Sequence, residues 1–205
     1  MCCVVCSVYC CCLLTVNEGA KMVLCDENRL RQLCRSLGVE TPNLKSDAGG
    51  NVTVFCLFSQ ISASDLSNGR LPNELVTGFG TIALSLAKKA DNSLLGKTAE
   101  EEACVRQWVE YAVCYINLMD SPGVQQRVLK ELNSFLADKT FFVSYHQTLV
   151  DKMYYHLLYD VMSSLTFQEK EQYVHLSRWY NHLQQDKKLR QNNKLIMFSR
   201  RLLYV

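Results

Sequence analysis

The residue types that most often carry catalysis or bind metals are histidine and cysteine, and in this sequence neither forms a complete ligand set. The histidines are four in number, and two of them would share one helix face at a spacing of i, i+7. No cysteine or carboxylate completes a set with that pair, whereas a structural zinc site needs four ligands. We interpret all four as surface or core residues and expect neither a metal nor another cofactor. They are His146, His156, His175 and His182.

The cysteines are concentrated at one end of the chain, where six of the eleven fall within the first dozen residues. Cys3 and Cys6 form a single C-x-x-C pair, with no second pair or histidine close by. The other five occupy helix-like positions, which is typical of reduced thiols that serve as small apolar residues. This usage predicts a cytoplasmic protein. The nucleus is a second expected compartment, on which the cysteines say nothing. The five are Cys25, Cys34, Cys56, Cys104 and Cys114.

The overall composition is that of a folded globular protein. Hydrophobic residues make up 48% of the 205 residues and charged residues 20%, and the formal net charge is only +2. A chain of this length allows one domain or a small domain joined to a larger one, and we favour the second arrangement. The weak net charge makes nucleic acid an unlikely or weak partner. Residues 2–16 are apolar but shorter than the roughly 20 residues that span a bilayer, so no membrane contact is expected.

Three segments follow from the pattern along the chain. Residues 1–21 show neither a strand nor a helix period and are interpreted as a disordered or artefactual Cys-rich tail, with zinc binding and palmitoylation as the alternatives. Residues 22–90 form a small domain with one helix, from Asp26 to Leu37, which stops at Gly38. Residues 41–75 are predicted to be irregular, with one strand-like run at 52–58 within an insert near 51–70. Residues 91–205 form an all-helical domain.

The helical domain is predicted from apolar stripes and capping residues. A short helix runs over Ile82, Leu86 and Ala90, and two antiparallel helices lie on either side of residues 121–123. A loop at 141–147 leads to the most apolar helix, whose stripe runs from Val150 to Leu165, and to another helix that starts after Thr166 and extends to about Leu183. A last basic helix is expected over about 187–203. Three capping boxes open these helices, formed by Thr98 and Glu101, Thr148 and Asp151, and Thr166 and Glu169.

The Thr148–Asp151 pair opens the helix expected to be most buried. Its carboxylate would accept from the Thr148 backbone N–H, which burial hides from water. On the basis of this cap alone, Asp151→Ala is expected to cost about 1 to 2 kcal/mol of stability.

Several phrases of the sequence resemble a known family. VTGFGTIALSLAKKA, LLGKTAEEEACVRQWVEY, LKELNSFLADKTFFVSYHQTLVD and LTFQEKEQYVHLSRWYNHLQ are similar to elongation factor 1 epsilon, a glutathione-transferase-like auxiliary subunit of the animal multi-aminoacyl-tRNA-synthetase complex. The likeness covers about residues 76–203. It implies a mainly α, glutathione-transferase-like fold, in which a reduced thioredoxin-like α/β part precedes an all-α C-terminal bundle. The segment 51–70 is longer than this family leads us to expect.

The resemblance also implies a function, that of a non-catalytic scaffold in translation. The partners it implies are the glutathione-transferase-like domains of methionyl-tRNA synthetase and glutamyl-prolyl-tRNA synthetase, which the chain would bridge. The arginine of the SRWY motif is the residue that the family places against a partner's carboxylate, and an arginine beside aromatics has the composition of an interface hot spot. Two candidate contact surfaces follow, one at Arg178, Trp179 and Tyr180 and the other at Thr77, Gly78 and Ile82.

Two other functions remain open. An atypical glutathione transferase would need a thiol-activating residue, for which Cys25 and Tyr9 are the candidates, and a polar pair to hold the glutamyl group. The corresponding place has Gly78 and Phe79, which offer no polar side chain, so no catalytic residue is expected. An RNA-binding accessory factor is the other alternative, because the last 28 or so residues are rich in cations. These cations are Arg178, Lys187, Lys188, Arg190, Lys194, Arg200 and Arg201.

Overall fold

The computed structural model describes residues 25–46, 52–55 and 75–198, and this part of the chain is mainly helical. The predicted tail at 1–21 lies outside the described residues, as does most of the insert near 51–70. The helices are α1 Glu27–Leu37, α2 Phe79–Ala90, α3 Ala99–Cys114, α4 Pro122–Phe135, α5 Leu149–Leu157, α6 Tyr159–Ser164, α7 Phe167–Gln172, α8 Val174–Leu183 and α9 Lys187–Arg190. The strands are β1 Asn43–Ser46, β2 Val52–Phe55 and β3 Leu75–Thr77.

The first predicted helix is confirmed with its boundaries. The Asp26 side chain accepts a hydrogen bond from the Arg29 backbone N–H and so caps the start of α1. Gly38 ends the helix with a φ of 74°, a left-handed conformation that glycine adopts without steric cost. Leu30, Leu33 and Cys34 are fully buried and pack the helix against α2 and α5.

The prediction of a single strand between residues 41 and 75 was wrong, because three strands form an antiparallel sheet in the order β1-β2-β3. β2 begins at Val52 as expected and ends at Phe55. In β1 the partner of Val54 is Leu44, and in β3 it is Val76. The two outer strands were missed because four and three residues are too few to display a period of 2.

Two of the predicted helices are each divided by one residue. The most apolar helix breaks at Leu158, where ψ is −3°, and so becomes α5 and α6. The next helix breaks at Tyr173, where ψ is 53°, and becomes α7 and α8. In both cases the apolar residues keep a helical spacing across the break, so the sequence pattern gave no signal of a change of direction. In the 141–147 loop before α5, Phe141 and Phe142 are buried in the core as expected, whereas Tyr145 is exposed.

The last predicted helix, expected over about 187–203, is much shorter in the structure. α9 covers only four residues, and residues 191–198 are not helical. Gln191 ends α9 with a φ of 54°, which turns the chain out of the helix direction. The Gln184 side chain then holds the Ile196 backbone from both sides, donating to its C=O at 3.0 Å and accepting from its N–H at 3.0 Å. Since the side chain supplies the backbone partners of Ile196, the segment is extended despite its basic, helix-compatible composition.

An aromatic cluster forms the centre of the helical part. The Trp108 ring contacts Phe142 at a centroid distance of 5.1 Å, and Phe142 contacts Trp179 at 5.1 Å in an edge-to-face arrangement. Tyr154 joins the same cluster, and its hydroxyl donates to the Trp108 backbone carbonyl at 2.7 Å. These rings connect α3, the 141–147 loop, α5 and α8, so the cluster fixes the position of α8 relative to the rest of the bundle.

Candidate interaction surfaces

Asp151 accepts hydrogen bonds from three separate residues. Its Oδ2 atom accepts from the Thr148 backbone N–H at 2.9 Å and from the Thr148 hydroxyl at 3.0 Å, as part of the capping box of α5. Its Oδ1 atom accepts from the Phe142 backbone N–H at 3.2 Å and from Trp179 Nε1 at 3.0 Å. Asp151 is fully buried. The carboxylate therefore ties the 141–147 loop and α8 to the start of α5, which is a larger role than the predicted cap.

The other two predicted caps have simpler geometry. Thr166 and Glu169 form a capping box on α7, with the Thr166 backbone N–H donating to Glu169 Oε2 at 2.8 Å. Thr98 caps α3 by accepting from the Glu101 backbone N–H at 3.2 Å. Glu101, however, accepts from the Lys97 backbone N–H rather than from Thr98, so the α3 pair is not a reciprocal box. The backbone N–H of Lys97, one residue before Thr98, donates to the Glu101 carboxylate in place of the Thr98 N–H.

Arg178 lies at the surface on α8 and reaches towards the end of α4. Its Nη2 atom donates to the backbone carbonyls of Leu136 and Lys139, both at 2.8 Å. These carbonyls lie at and just after the C-terminus of α4, where partial negative charge accumulates and a cation is stabilising. The residue remains exposed, so the rest of the guanidinium is available to a partner.

The other predicted contact residues are distributed differently. Trp179, Tyr180 and Ile82 are at most 1% exposed, so in this structure they belong to the core and present almost no side-chain surface to a partner. The helix face that the sequence marked by aromatic residues is the face that packs inward. Gly78 is exposed and caps α2 with a φ of 90°. Thr77 is the last residue of β3, and its side chain is outside the described part.

Cys25 is in a poor environment for thiol chemistry. The side chain is buried, and its Sγ contacts the Ala112 carbonyl at 3.7 Å. Burial raises the pKa of the thiol to about 12, with smaller contributions from Asp26 and Cys114. Because the thiolate is the nucleophile, a thiol of this pKa reacts slowly at neutral pH. Tyr9, the other thiol-activating candidate, lies outside the described residues.

We expect Cys25 to be alkylated much more slowly than an unfolded thiol. Iodoacetamide treatment of the native protein near neutral pH, followed by peptide mass mapping, should leave Cys25 largely unmodified while it is fully modified in guanidinium chloride. Mapping by peptide separates Cys25 from the other ten cysteines. Equal rates for Cys25 in the native and denatured protein would contradict this prediction.

Comparison with known proteins defines the family. A model described as nuclear-export cofactor Arc1p matches residues 101–187, which include Asp151 and Arg178. Eukaryotic translation elongation factor 1 epsilon-1 from Cricetulus griseus is 38% identical over 176 residues, which are 85% of this chain and 94% of that protein. The chain belongs to this family. The Homo sapiens and Mus musculus proteins of the same name match with the same identity and coverage.

The described residues of this elongation factor 1 epsilon-1 family member contain neither a candidate metal site nor a candidate membrane-spanning helix. Across residues 25–46, 52–55 and 75–198, no group of three or more histidine, cysteine or acidic side chains has an arrangement that could hold a metal ion. In the same residues no helix is both long and apolar enough to cross a membrane.

Sequence reasoning missed a surface groove of this family member. The groove has a volume of about 470 Å³ and lies between α7, α8 and the extended segment 195–198. Val174, Leu195 and Met197 line it with more than half of each side chain exposed. Lys170 lines it as well and is only 9% exposed. A cation in a polar stretch carries no signal of burial, and the extended segment was predicted to be helical, so no pattern pointed to the groove.

His156 is an unusual buried group in α5. It is 1% exposed, and neither ring nitrogen has a hydrogen-bond partner among the described residues. Burial, with a smaller contribution from the nearby Arg29 guanidinium that pairs with Asp160, lowers the pKa of the imidazole to about 3. The ring is therefore neutral in the folded protein across the physiological pH range.

The depressed pKa predicts sensitivity to acid. Between about pH 6.5 and pH 3 the unfolded chain binds a proton at His156 that the folded chain does not, so stability falls as the pH falls, by up to about 1.4 kcal/mol per pH unit. Urea denaturation should show a loss of about 2 kcal/mol from this residue between about pH 6.5 and pH 5.

A His156→Leu variant isolates this effect, since the variant lacks the titrating group but retains the apolar packing. Burial raises the pKa of the Asp151 carboxyl, so the titration of Asp151 increases stability as the pH falls, opposite to the effect of His156. Both proteins contain Asp151, so its contribution cancels in the comparison. The difference in the free energy of unfolding between wild type and variant should therefore change with pH. A constant difference from pH 6.5 to pH 5 would disprove the prediction.

Proposed function

We propose that this chain is a non-catalytic scaffold subunit of the multi-aminoacyl-tRNA-synthetase complex and acts in translation. Its membership of the elongation factor 1 epsilon-1 family supports a role in protein synthesis. The match of residues 101–187 to a model described as a nuclear-export cofactor supports an auxiliary rather than an enzymatic role. The same description is compatible with a protein of the cytoplasm that also enters the nucleus.

The proposed mechanism is the bridging of methionyl-tRNA synthetase and glutamyl-prolyl-tRNA synthetase through their glutathione-transferase-like domains. The observation that carries this proposal is the geometry of Arg178. Its guanidinium is anchored on the Leu136 and Lys139 carbonyls, at and after the end of α4, yet the residue is exposed, so its side chain is ordered before a partner arrives. A pre-ordered guanidinium loses little conformational freedom when it meets a carboxylate, and it can bind one with two parallel hydrogen bonds.

The second proposed surface surrounds the start of α2. Gly78 is exposed there and follows directly on Thr77, whereas Ile82, in the next turn of α2, is buried. In this proposal residues 22–90 are the shortened thioredoxin-like domain, and residues 91–205 are the glutathione-transferase C-terminal-like domain. α1, the three-stranded sheet and α2 supply the α and β elements of the first domain, although the sheet described is antiparallel throughout.

Co-purification from the source cells tests the scaffold proposal. The tagged full chain should recover methionyl-tRNA synthetase and glutamyl-prolyl-tRNA synthetase together, as identified by mass spectrometry. Sequential purification through a tag on each synthetase, with the chain present in the final fraction, would show that all three belong to one assembly. Recovery of neither synthetase, or saturable glutathione conjugation by the purified chain, would overturn the proposal.

A further inference from the structure

The groove between α7, α8 and the segment 195–198 is lined by a largely buried lysine that has no acidic partner among the described residues. The Lys170 residue is only 9% exposed, and burial lowers the pKa of its amino group. Among the described residues no carboxylate lies within ion-pair distance of it. Its ammonium instead faces the Phe198 ring, with 5.8 Å between Nζ and the ring centroid. Burial partly strips water from this ammonium, and a cation in that state without an anion beside it favours a bound carboxylate.

The walls of the same groove are apolar and exposed. Val174 is 56% exposed, Leu195 53% and Met197 52%. Leu195 and Met197 alternate with Ile196, which is buried and held by Gln184, so the two exposed side chains project from the same side of an extended segment. Arg178 lines the groove as a second cation, and Glu171 is the one acidic residue of its lining. The groove therefore combines an apolar wall with an excess of positive charge.

We propose that this groove binds a short segment of a partner protein in which a carboxylate is flanked by apolar side chains. The carboxylate pairs with the Lys170 ammonium, and the apolar side chains cover Val174, Leu195 and Met197. Arg178 at the groove wall adds a second positive charge for the same segment. This inference does not depend on which synthetases the chain bridges, because it rests on Lys170 and on the segment 195–198.

Charge argues against the other occupants. Residues 199–205 of this chain carry Arg200 and Arg201 and no acidic side chain, so their net charge stays positive even with a terminal carboxylate at Val205 and does not complement the groove. Residues 1–24 contain a single acidic residue, Glu18, which is offset by Lys21. A two-fold contact between copies would place each groove's cations against their own counterparts, which is repulsive. An acidic and apolar partner segment fits the groove better than any of these.

The test uses two labelled peptides and the full chain. One peptide alternates leucine and glutamate, the other alternates leucine and lysine, and binding is followed by fluorescence anisotropy. We expect saturable binding of the glutamate peptide alone. Lys170→Met, which retains most of the side-chain length but removes the charge, should weaken binding by about five- to tenfold. Lys130→Met on α4 is the matched control, because Lys130 is exposed and does not line the groove.

Three results would overturn the proposal: no saturable binding, equal binding of the two peptides, or unchanged binding by the Lys170→Met variant. If that variant fails to fold, Met197→Ser replaces it, since an exposed side chain contributes little to folding and should still weaken the apolar contact. Sedimentation of the full chain provides a further check. A dimer that dissociates on Met197→Ser would assign the groove to a second copy and would also overturn the proposal.

Discussion

Replacing Asp151 by alanine should lower the free energy of unfolding by about 3 to 5 kcal/mol, which is more than the cap alone predicts. The variant leaves buried donors without an acceptor, namely two N–H groups of the backbone, the Thr148 hydroxyl and Trp179 Nε1. Each buried donor without a partner costs on the order of 1 to 3 kcal/mol, although the hydroxyl can rotate to another acceptor. Denaturant titration followed by tryptophan fluorescence measures the loss and also reports on Trp179.

Glu169→Ala is the matched control, because Glu169 plays the same part in a capping box on α7 but at the surface. Its loss should be much smaller, since water can satisfy the freed Thr166 groups. If the two variants lose the same stability, Asp151 is only a helix cap. Trp179→Phe tests the remaining link, because it removes one donor to Asp151 and retains most of the aromatic packing.

Replacing Arg178 by alanine should weaken the proposed complex with a synthetase partner by about 2 to 5 kcal/mol, as measured by calorimetry. Truncation removes the charge-assisted pair and leaves the partner's carboxylate unpaired at the interface. Arg178→Lys should also weaken binding, because an ammonium cannot reproduce a pair of parallel hydrogen bonds.

The Arg178 variant also affects the isolated subunit, because its guanidinium donates to the Leu136 and Lys139 carbonyls. These bonds lie near the surface, so the expected loss of stability is about 1 kcal/mol and the bundle stays folded. Arg127→Ala, on the exposed side of α4, should change neither binding nor fold. Equal affinity of wild type and Arg178→Ala would exclude Arg178 from the interface.

Local signals in the sequence predicted helices better than they predicted the breaks between them. α1 was predicted with its cap and its stop, because Asp26 and Gly38 act within a few residues of the helix. The breaks at Leu158 and Tyr173 depend on how distant elements pack, and neither residue is a proline or a glycine that would mark a break. The end of α9 has the same cause, since Gln184 and Ile196 meet only in the folded chain.

For the candidate surfaces too, the sequence predicted what depends on neighbouring residues and missed what depends on distant contacts. The sequence identified Arg178 and the Thr148–Asp151 pair from composition and spacing, but it assigned Trp179 and Tyr180 to the surface. An aromatic residue beside an arginine has the same composition whether its ring points outward or inward, and only the position of α8 decides which. The contact between Trp179 Nε1 and Asp151 joins residues 28 positions apart, and no local pattern encodes such a distance.

The way in which Gln184 holds Ile196 has a consequence for motion. Among the described residues this stretch of backbone has no strand neighbour, and side chains attach it to the bundle, Gln184 at Ile196 and the Tyr159 hydroxyl at Lys194. Such an attachment opens at a lower free energy than a helix does, so amide hydrogen exchange at Ile196 should be faster than in the middle of α5 or α8. One wall of the groove can therefore move away and return while the aromatic core stays closed.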